Sequence, residues 1–242
     1  MKEQGDKDKW LFGCHFLPRL CGFVLTIYFM VIWTLSTLTD IWTVSTLRNT
    51  ANYHHGNLRN ELILSALKLL DEKGIEGVGI RQVAREAGVA HSAPANHFKN
   101  KQALYTALAI EVVSGLLPKL QRKVESSCGI DVAVHGLCQS LLDFALMHPN
   151  RYSLLWRKDC VDSDDPDLTA VMESLYTLLL DVCNAQAAEK RLDVESLAIA
   201  VWSMLHGYVS LRLDGNLAQG FDALTGADRS KAVVDVMLKG LL

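Results

Sequence analysis

From Asn57 to the C-terminus the apolar residues fall three and four positions apart, the spacing of one buried helix face, and the strict alternation of a half-buried strand is almost absent. The first stripe is Leu62, Ile63, Ala66, Leu67 and Leu70, with Asn57 placed to cap it and Gly74 to close it ahead of Ile75. A shorter stripe, Ile80, Val83, Ala84 and Ala87, leaves Arg81, Gln82, Arg85 and Glu86 outside. Gly88 then supplies a positive-φ position for a tight turn, and Val89 can plug the angle behind it. His91 to Phe98 reads as a third short helix with Phe98 turned inward. Asn100 can cap the next helix, which begins Lys101-Gln102-Ala103-Leu104 and runs toward Val124, interrupted by a kink near Pro118. Further helices are predicted over 131–147, 150–158, 167–189, from the Asp193 cap to about Leu213, and 229–242. An acidic loop, 159–167, and a glycine-containing loop, 216–227, separate them. The 167–189 helix buries Val171, Leu175, Leu178, Leu179 and Val182, whereas Val233, Val234, Val236, Met237 and Leu241 make the last helix apolar on more than one side. A terminal helix that greasy needs a partner. The expected fold class is all-α.

Two short helical patterns joined by a glycine turn, with a basic residue following, form a helix-turn-helix, and its chemistry suits DNA. His91, Ser92, Ala93 and Asn96 are small or hydrogen-bonding groups of the kind a major groove admits. His97 and Lys101 fall where backbone phosphates would lie, with the N–H groups of a helix start beside them, and Arg81 and Gln82 are further candidate contacts. Pro94 has no N–H and is tolerable only in a first turn, so the recognition helix is expected to start near His91 or Ser92, with Ser92 as its cap.

The segments YHHGNLR (53–59), AGV (87–89) and HFKNKQAL (97–104) resemble the N-terminal DNA-binding domain of TetR/AcrR-type transcription regulators. Trp202, His206 and Gly207 in VWSMLHGYVSL resemble the Trp-His-Gly signature of one C-terminal domain class in that family, which SAP (92–94) and YHHG usually accompany. Ala90 replaces the Ser or Thr cap common in relatives, and Ala95 replaces a phosphate-touching tyrosine, so the tyrosine contact is not carried over. The resemblance implies a three-helix DNA-binding domain over 52–104 and a helical effector-binding and dimerisation domain over 105–242. It further implies a homodimer closed by the last two helices of each subunit, acting on an inverted-repeat, double-stranded DNA operator as a repressor that a small molecule releases. Phe144, Trp156, Tyr176, Trp202 and His206 are candidate lining for an effector pocket. The competing reading puts Trp202 in the core, gives His206 one buried hydrogen bond and makes Gly207 a packing contact.

Charge sharpens the division. Residues 52–104 carry 7 Lys/Arg against 5 Asp/Glu and residues 105–242 carry 12 against 18, so the acidic balance of the chain resides in its C-terminal part. Cys14, Cys21, Cys128, Cys138, Cys160 and Cys183 form no CxxC pair and no finger spacing, so reduced buried thiols are expected and no metal or other cofactor is implied. His54-His55 reads as a polar arm. An enzyme would have to be built on His206 with Asp214 or on a cysteine, and no nucleophile, base and orienting group stand at a motif spacing. A helical adaptor without DNA binding is the alternative of another class, and it leaves the order of turn glycine, small-residue helix and basic helix start unexplained.

Leu20 to Thr39 is an uncharged run of twenty residues, long enough to cross a bilayer. Lys2, Lys7, Lys9 and Arg19 precede it, which by the positive-inside rule would leave the DNA-binding domain outside the cell, and a signal peptide meets the same objection. The expectation is therefore that 1–43 is upstream sequence attached by a misassigned start near Val44, dispensable for folding and DNA binding, in a cytoplasmic, nucleoid-associated protein. The alternative is a regulator associated with the membrane through 20–39.

Overall fold

The computed structural model describes residues 58–241, and the expectations for Asn57, His54-His55 and the 1–51 extension lie outside them. Eight α-helices carry the described chain: α1 (Leu58–Lys73), α2 (Ile80–Glu86), α3 (Lys101–Glu125), α4 (Ile130–Met147), α5 (Pro149–Leu155), α6 (Pro166–Lys190), α7 (Val194–Leu213) and α8 (Arg229–Leu241). The one β feature among these residues is an isolated bridge between Phe221 and Asp228.

The expected apolar faces are the buried ones. Leu62, Ile63, Ala66, Leu67 and Leu70 of α1 pack with Val83 of α2, Phe98, and Leu104, Tyr105 and Leu108 of α3 in one core. Gly74 closes α1 at φ 69 and Gly88 ends α2 at φ 69, a region that strains any residue with a Cβ. Asn100 caps α3 by accepting the Ala103 N–H at 2.8 Å, and Asp193 caps α7 by accepting the Ser196 N–H at 2.8 Å. Such caps contribute about 1 kcal/mol each. Asp165 adds one at α6, taking the Asp167 and Leu168 N–H groups at 3.0 Å.

α3 begins beneath the helix-turn-helix and continues as a packing partner of α4, α5 and α6, so the expected domain border at 104/105 falls inside one continuous helix. α4 in turn packs on α6, α7 and α8. Among the described residues three helices, α3, α4 and α7, are long and apolar enough to cross a membrane by length and composition, and each buries apolar residues in this bundle.

The recognition segment departs from expectation. Where a helix was predicted over 91–98, a turn leads into a 3-10 turn, Ala93–Asn96. Its bonds run from Ala93 N to Ala90 O, Ala95 N to Ser92 O and His97 N to Pro94 O, all three apart, with one four-apart bond from Phe98 N to Pro94 O. Pro94 falls in the first turn of the segment, where its missing N–H leaves no bond unmade. Ser92 precedes the turn without a side-chain capping bond. α5 ends at Leu155, three residues earlier than predicted. α3 is one unbroken helix with Pro118 inside it. Pro118 and Ser114, whose carbonyl loses its donor, are both exposed, so water can take the freed bond.

Candidate DNA-binding surface and effector cavity

Pro94 and Phe98 are buried, and between them they turn the polar residues of the short segment outward. Arg81, Gln82, His91, Ser92, Asn96, His97 and Lys101 are exposed on α2, the turn and the first residue of α3, while Ala93 is half-buried. Gln82 folds back over the start of α2, where a Cβ on Gly79 would run into its Oε1. The Lys101 ammonium lies 5.0 Å from the Tyr105 ring centroid. A hydrogen bond to Tyr105 pushes this lysine above its ordinary range, so it keeps its charge at neutral pH. The Tyr105 hydroxyl in turn reaches the carbonyls of Ile75 at 2.7 Å and Val78 at 3.0 Å, tying α3 to the loop before α2. Arg59, absent from the sequence-based set, places its guanidinium 5.6 Å from the Phe98 ring centroid. Arg59 closes the YHHGNLR segment, whose resemblance pointed to the domain and assigned no role to this arginine.

In the C-terminal bundle a cavity of about 180 Å³ is lined by Leu137 and Leu141 of α4, Trp156, Met172, Leu175, Tyr176 and Leu179 of α6, and Trp202 of α7. Of the residues nominated from sequence, Trp156, Tyr176 and Trp202 border this cavity. Phe144 and His206 do not. Phe144 is buried against His148, ring centroids 5.7 Å apart. His206 sits behind the wall, its Nδ1 2.7 Å from the Tyr152 hydroxyl and its ring 5.3 Å from Trp156. Burial pushes the Tyr152 phenol up to about 12, so the proton of that bond is retained across the physiological range. The one-hydrogen-bond reading of His206 matches this geometry, and half-buried Trp202 belongs to both core and cavity wall, 5.1 Å from Trp156. Among the described residues Gly207 is not a packing contact, because a Cβ built there meets nothing within 4 Å.

The segment holding Trp156 is fastened at both ends to the part that carries the helix-turn-helix. On α5, Arg151 makes a two-pronged pair with Asp71 of α1, Nε to Oδ1 at 2.8 Å and Nη2 to Oδ2 at 2.6 Å, and Asn150 donates to the Asp71 carbonyl at 3.2 Å. Beyond Trp156, Thr106 of α3 accepts the Asp162 N–H at 2.9 Å and Gln102 donates to the Val161 carbonyl at 3.3 Å.

His148 adjoins the first of these fastenings. Burial, then the positive charge of Arg151, pushes its imidazole below the ordinary value of 6.5, Asp71 opposes, and Lys119 adds to the lowering. The folded state thus takes up the proton at lower pH than the unfolded chain. Its contribution is present above pH 6.5 and is lost as pH falls from there through the folded value. Denaturant unfolding from pH 8 to 5 should show stability falling across that window, with a shallower fall in His148→Asn. Equal slopes in the two proteins would assign the pH dependence elsewhere.

The cysteines divide. Cys138 and Cys183 are buried, and burial pushes their thiols up to about 12 and about 11, out of reach as thiolates. Cys128 is exposed and Cys160 half-buried, so the expectation of buried thiols fails for these two. Cys128 lies in the polar turn between α3 and α4, where no apolar stripe encloses it. Among the described residues no three His, Cys, Asp or Glu side chains converge as a metal site.

Two family profiles match the chain: "Bacterial regulatory proteins, tetR family" over residues 62–108 and "Tetracyclin repressor-like, C-terminal domain" over residues 134–237. An uncharacterized HTH-type transcriptional regulator of Mycobacterium tuberculosis is 29% identical over 160 residues, 65% of this chain and 71% of that protein. The class D tetracycline repressor protein of Escherichia coli is 41% identical over 56 residues, 23% of this chain and 26% of the repressor. Among solved structures, a protein of unknown function from Rhodococcus sp. RHA1 superposes with a TM-score of 0.65 at 27% identity, covering 79% of this chain and 97% of that one. The Bacillus subtilis regulator FadR in complex with stearoyl-CoA superposes at 0.58 with 13% identity, covering 75% of this chain and 96% of that one, a likeness of fold alone. With the helix-turn-helix under one profile and the cavity-bearing bundle under the other, the chain belongs to the TetR family of DNA-binding transcription regulators and is not an enzyme.

Proposed function

We propose that the chain is a cytoplasmic repressor that binds an inverted-repeat operator as a homodimer and is released when a small molecule enters the bundle cavity. The observation that carries this reading is the double fastening of the Trp156 segment, which joins a cavity wall to Asp71 of α1 and Gln102 of α3, both within 52–104. His91, Ser92, Ala93 and Asn96 read bases, His97 and Lys101 hold phosphates, and Arg81 and Gln82 support them from α2. The division of labour falls between residues 52–104 for DNA and 105–242 for effector and dimer.

The outer faces of α7 and α8 support the dimer. Ile199, Ser203, Gly207 and Leu211 recur every four residues on α7, with Ile199 52% and Leu211 49% exposed, and Val236 of α8 is 70% exposed. Small residues between two large apolar ones admit a second helix closely. A pair of such faces, related by a two-fold axis, would place the two helix-turn-helix units on one side of the assembly to meet two half-sites.

The test is binding to duplex DNA from the flanks of the encoding gene, followed by fluorescence anisotropy and sedimentation. A dimer should bind an inverted repeat, and Lys101→Ala should weaken all sequences alike and lower the salt slope by about 0.9 per subunit. Full affinity from a monomer, or an unchanged salt slope in Lys101→Ala, would overturn these assignments.

A further inference from the structure

The cavity's wall specifies what enters it. We infer that this site takes a neutral, largely apolar ligand of about one aromatic ring and excludes organic anions, an inference that rests on the effector reading above and narrows it. None of the eight lining residues is charged at neutral pH, and five of them are Leu or Met side chains offering no hydrogen bond to a polar ligand beyond a weak thioether acceptor: Leu137, Leu141, Met172, Leu175 and Leu179. Their polar groups are the Tyr176 hydroxyl and the two indole N–H groups. A carboxylate or phosphate placed there would lose its water without gaining a cation, a cost that drives such a group back to solvent.

Size sets the other limit. Apolar cavities of about 150 Å³ stay dry and admit one benzene-sized guest. This one, at about 180 Å³, is of that order. Leu137, Leu175 and Leu179 are buried to within a few per cent, so they form its floor, while Tyr176 at 38% exposure is the lining residue most open to solvent and marks the entrance. Trp156 and Trp202 meet edge to face at 65° and offer a guest ring both a face and an edge. A ring held there touches Trp156, whose neighbours along the chain are the ones fastened to α1 and α3.

The experiment uses the full chain, with toluene, benzoate and stearoyl-CoA as probes in isothermal titration calorimetry and thermal shift. Toluene should bind and raise the melting temperature, with benzoate at least about tenfold weaker because its charge stays unpaired. Met172→Phe should fill the half-buried upper part and abolish toluene binding, and Leu179→Phe should do so at the floor. Either variant suffices if helical by circular dichroism. Tighter binding of benzoate or stearoyl-CoA than of toluene, no binding of toluene, or toluene binding undiminished in a folded filled variant would each overturn the ligand class. Toluene binding that leaves operator affinity unchanged supports the class and counts against the effector role alone.

Discussion

Phe98→Ala is expected to cost the N-terminal part about 3–5 kcal/mol, the range for removing a buried aromatic ring, and with it all operator binding. The residue is 3% exposed and lies in the core shared by α1, α2 and α3. It is also the inner anchor of a segment that has no α-helical ladder of its own, held instead by three-apart bonds and by the buried Pro94. Without the ring, the turn carrying His91, Ser92 and Asn96 loses what fixes its height above α1, and Arg59 loses the face it covers. Asn96→Ala is the contrast. Asn96 is exposed, so stability should hold while discrimination falls by about 1–3 kcal/mol at the base it reads. Chemical denaturation beside anisotropy on matched and mismatched duplexes distinguishes the two. A Phe98→Ala protein of unchanged stability would mean that the segment is held by its backbone, and Asn96→Ala weakening every sequence equally would move the reading face elsewhere.

The difference between these two residues also marks how far the sequence was legible. The stripe of α1, the glycine turns at 74 and 88 and the caps at Asn100 and Asp193 are local signals, set by spacing and by what a helix end must satisfy, and each stands where the pattern placed it. The recognition segment reads as a full helix because polar residues outside and Phe98 inside fit one, but over so few residues the same placement fits a 3-10 turn, and a first-turn proline suits both. Trp156, Tyr176 and Trp202 could be nominated because aromatics stand out. Leu137, Leu141, Met172, Leu175 and Leu179 could not, because residues at helical spacing look the same whether their inner side meets another side chain or a void. His206 was nominated with Trp202 through the Trp-His-Gly resemblance, yet a neighbour on another helix, Tyr152, claims its ring nitrogen. Asp71 with Arg151 is legible only in three dimensions, eighty positions apart.

Breaking that pair should disconnect the cavity from the DNA. Arg151 and Asp71 are partly exposed, their side chains 18% and 36% accessible, so Arg151→Gln should change stability by no more than about 1 kcal/mol. Its effect on coupling should be far larger. A ligand that changes DNA affinity through a second site typically does so by about 1–3 kcal/mol, or 5–150-fold. Here that energy has two described routes out of the Trp156 wall: forward through Asp162 and Thr106 to α3, and back through Arg151 to the end of α1. Two charge-assisted bonds and the Asn150 bond make the backward route the stiffer one, against one bond of 2.9 Å and one of 3.3 Å on the other. Arg151→Gln and Asp71→Asn should therefore each bring operator affinity with and without toluene to within about threefold, and the double variant should add little, because both singles remove the same interaction. A readout independent of any ligand is amide exchange at residues 69–74. Trp156→Ala should speed it in the parent protein and have little effect in the Arg151→Gln background, since the disturbance then has no stiff path to α1. Full coupling in Arg151→Gln, together with an undiminished response of residues 69–74 to Trp156→Ala, would place transmission in α3, which passes from the helix-turn-helix into the bundle without a break.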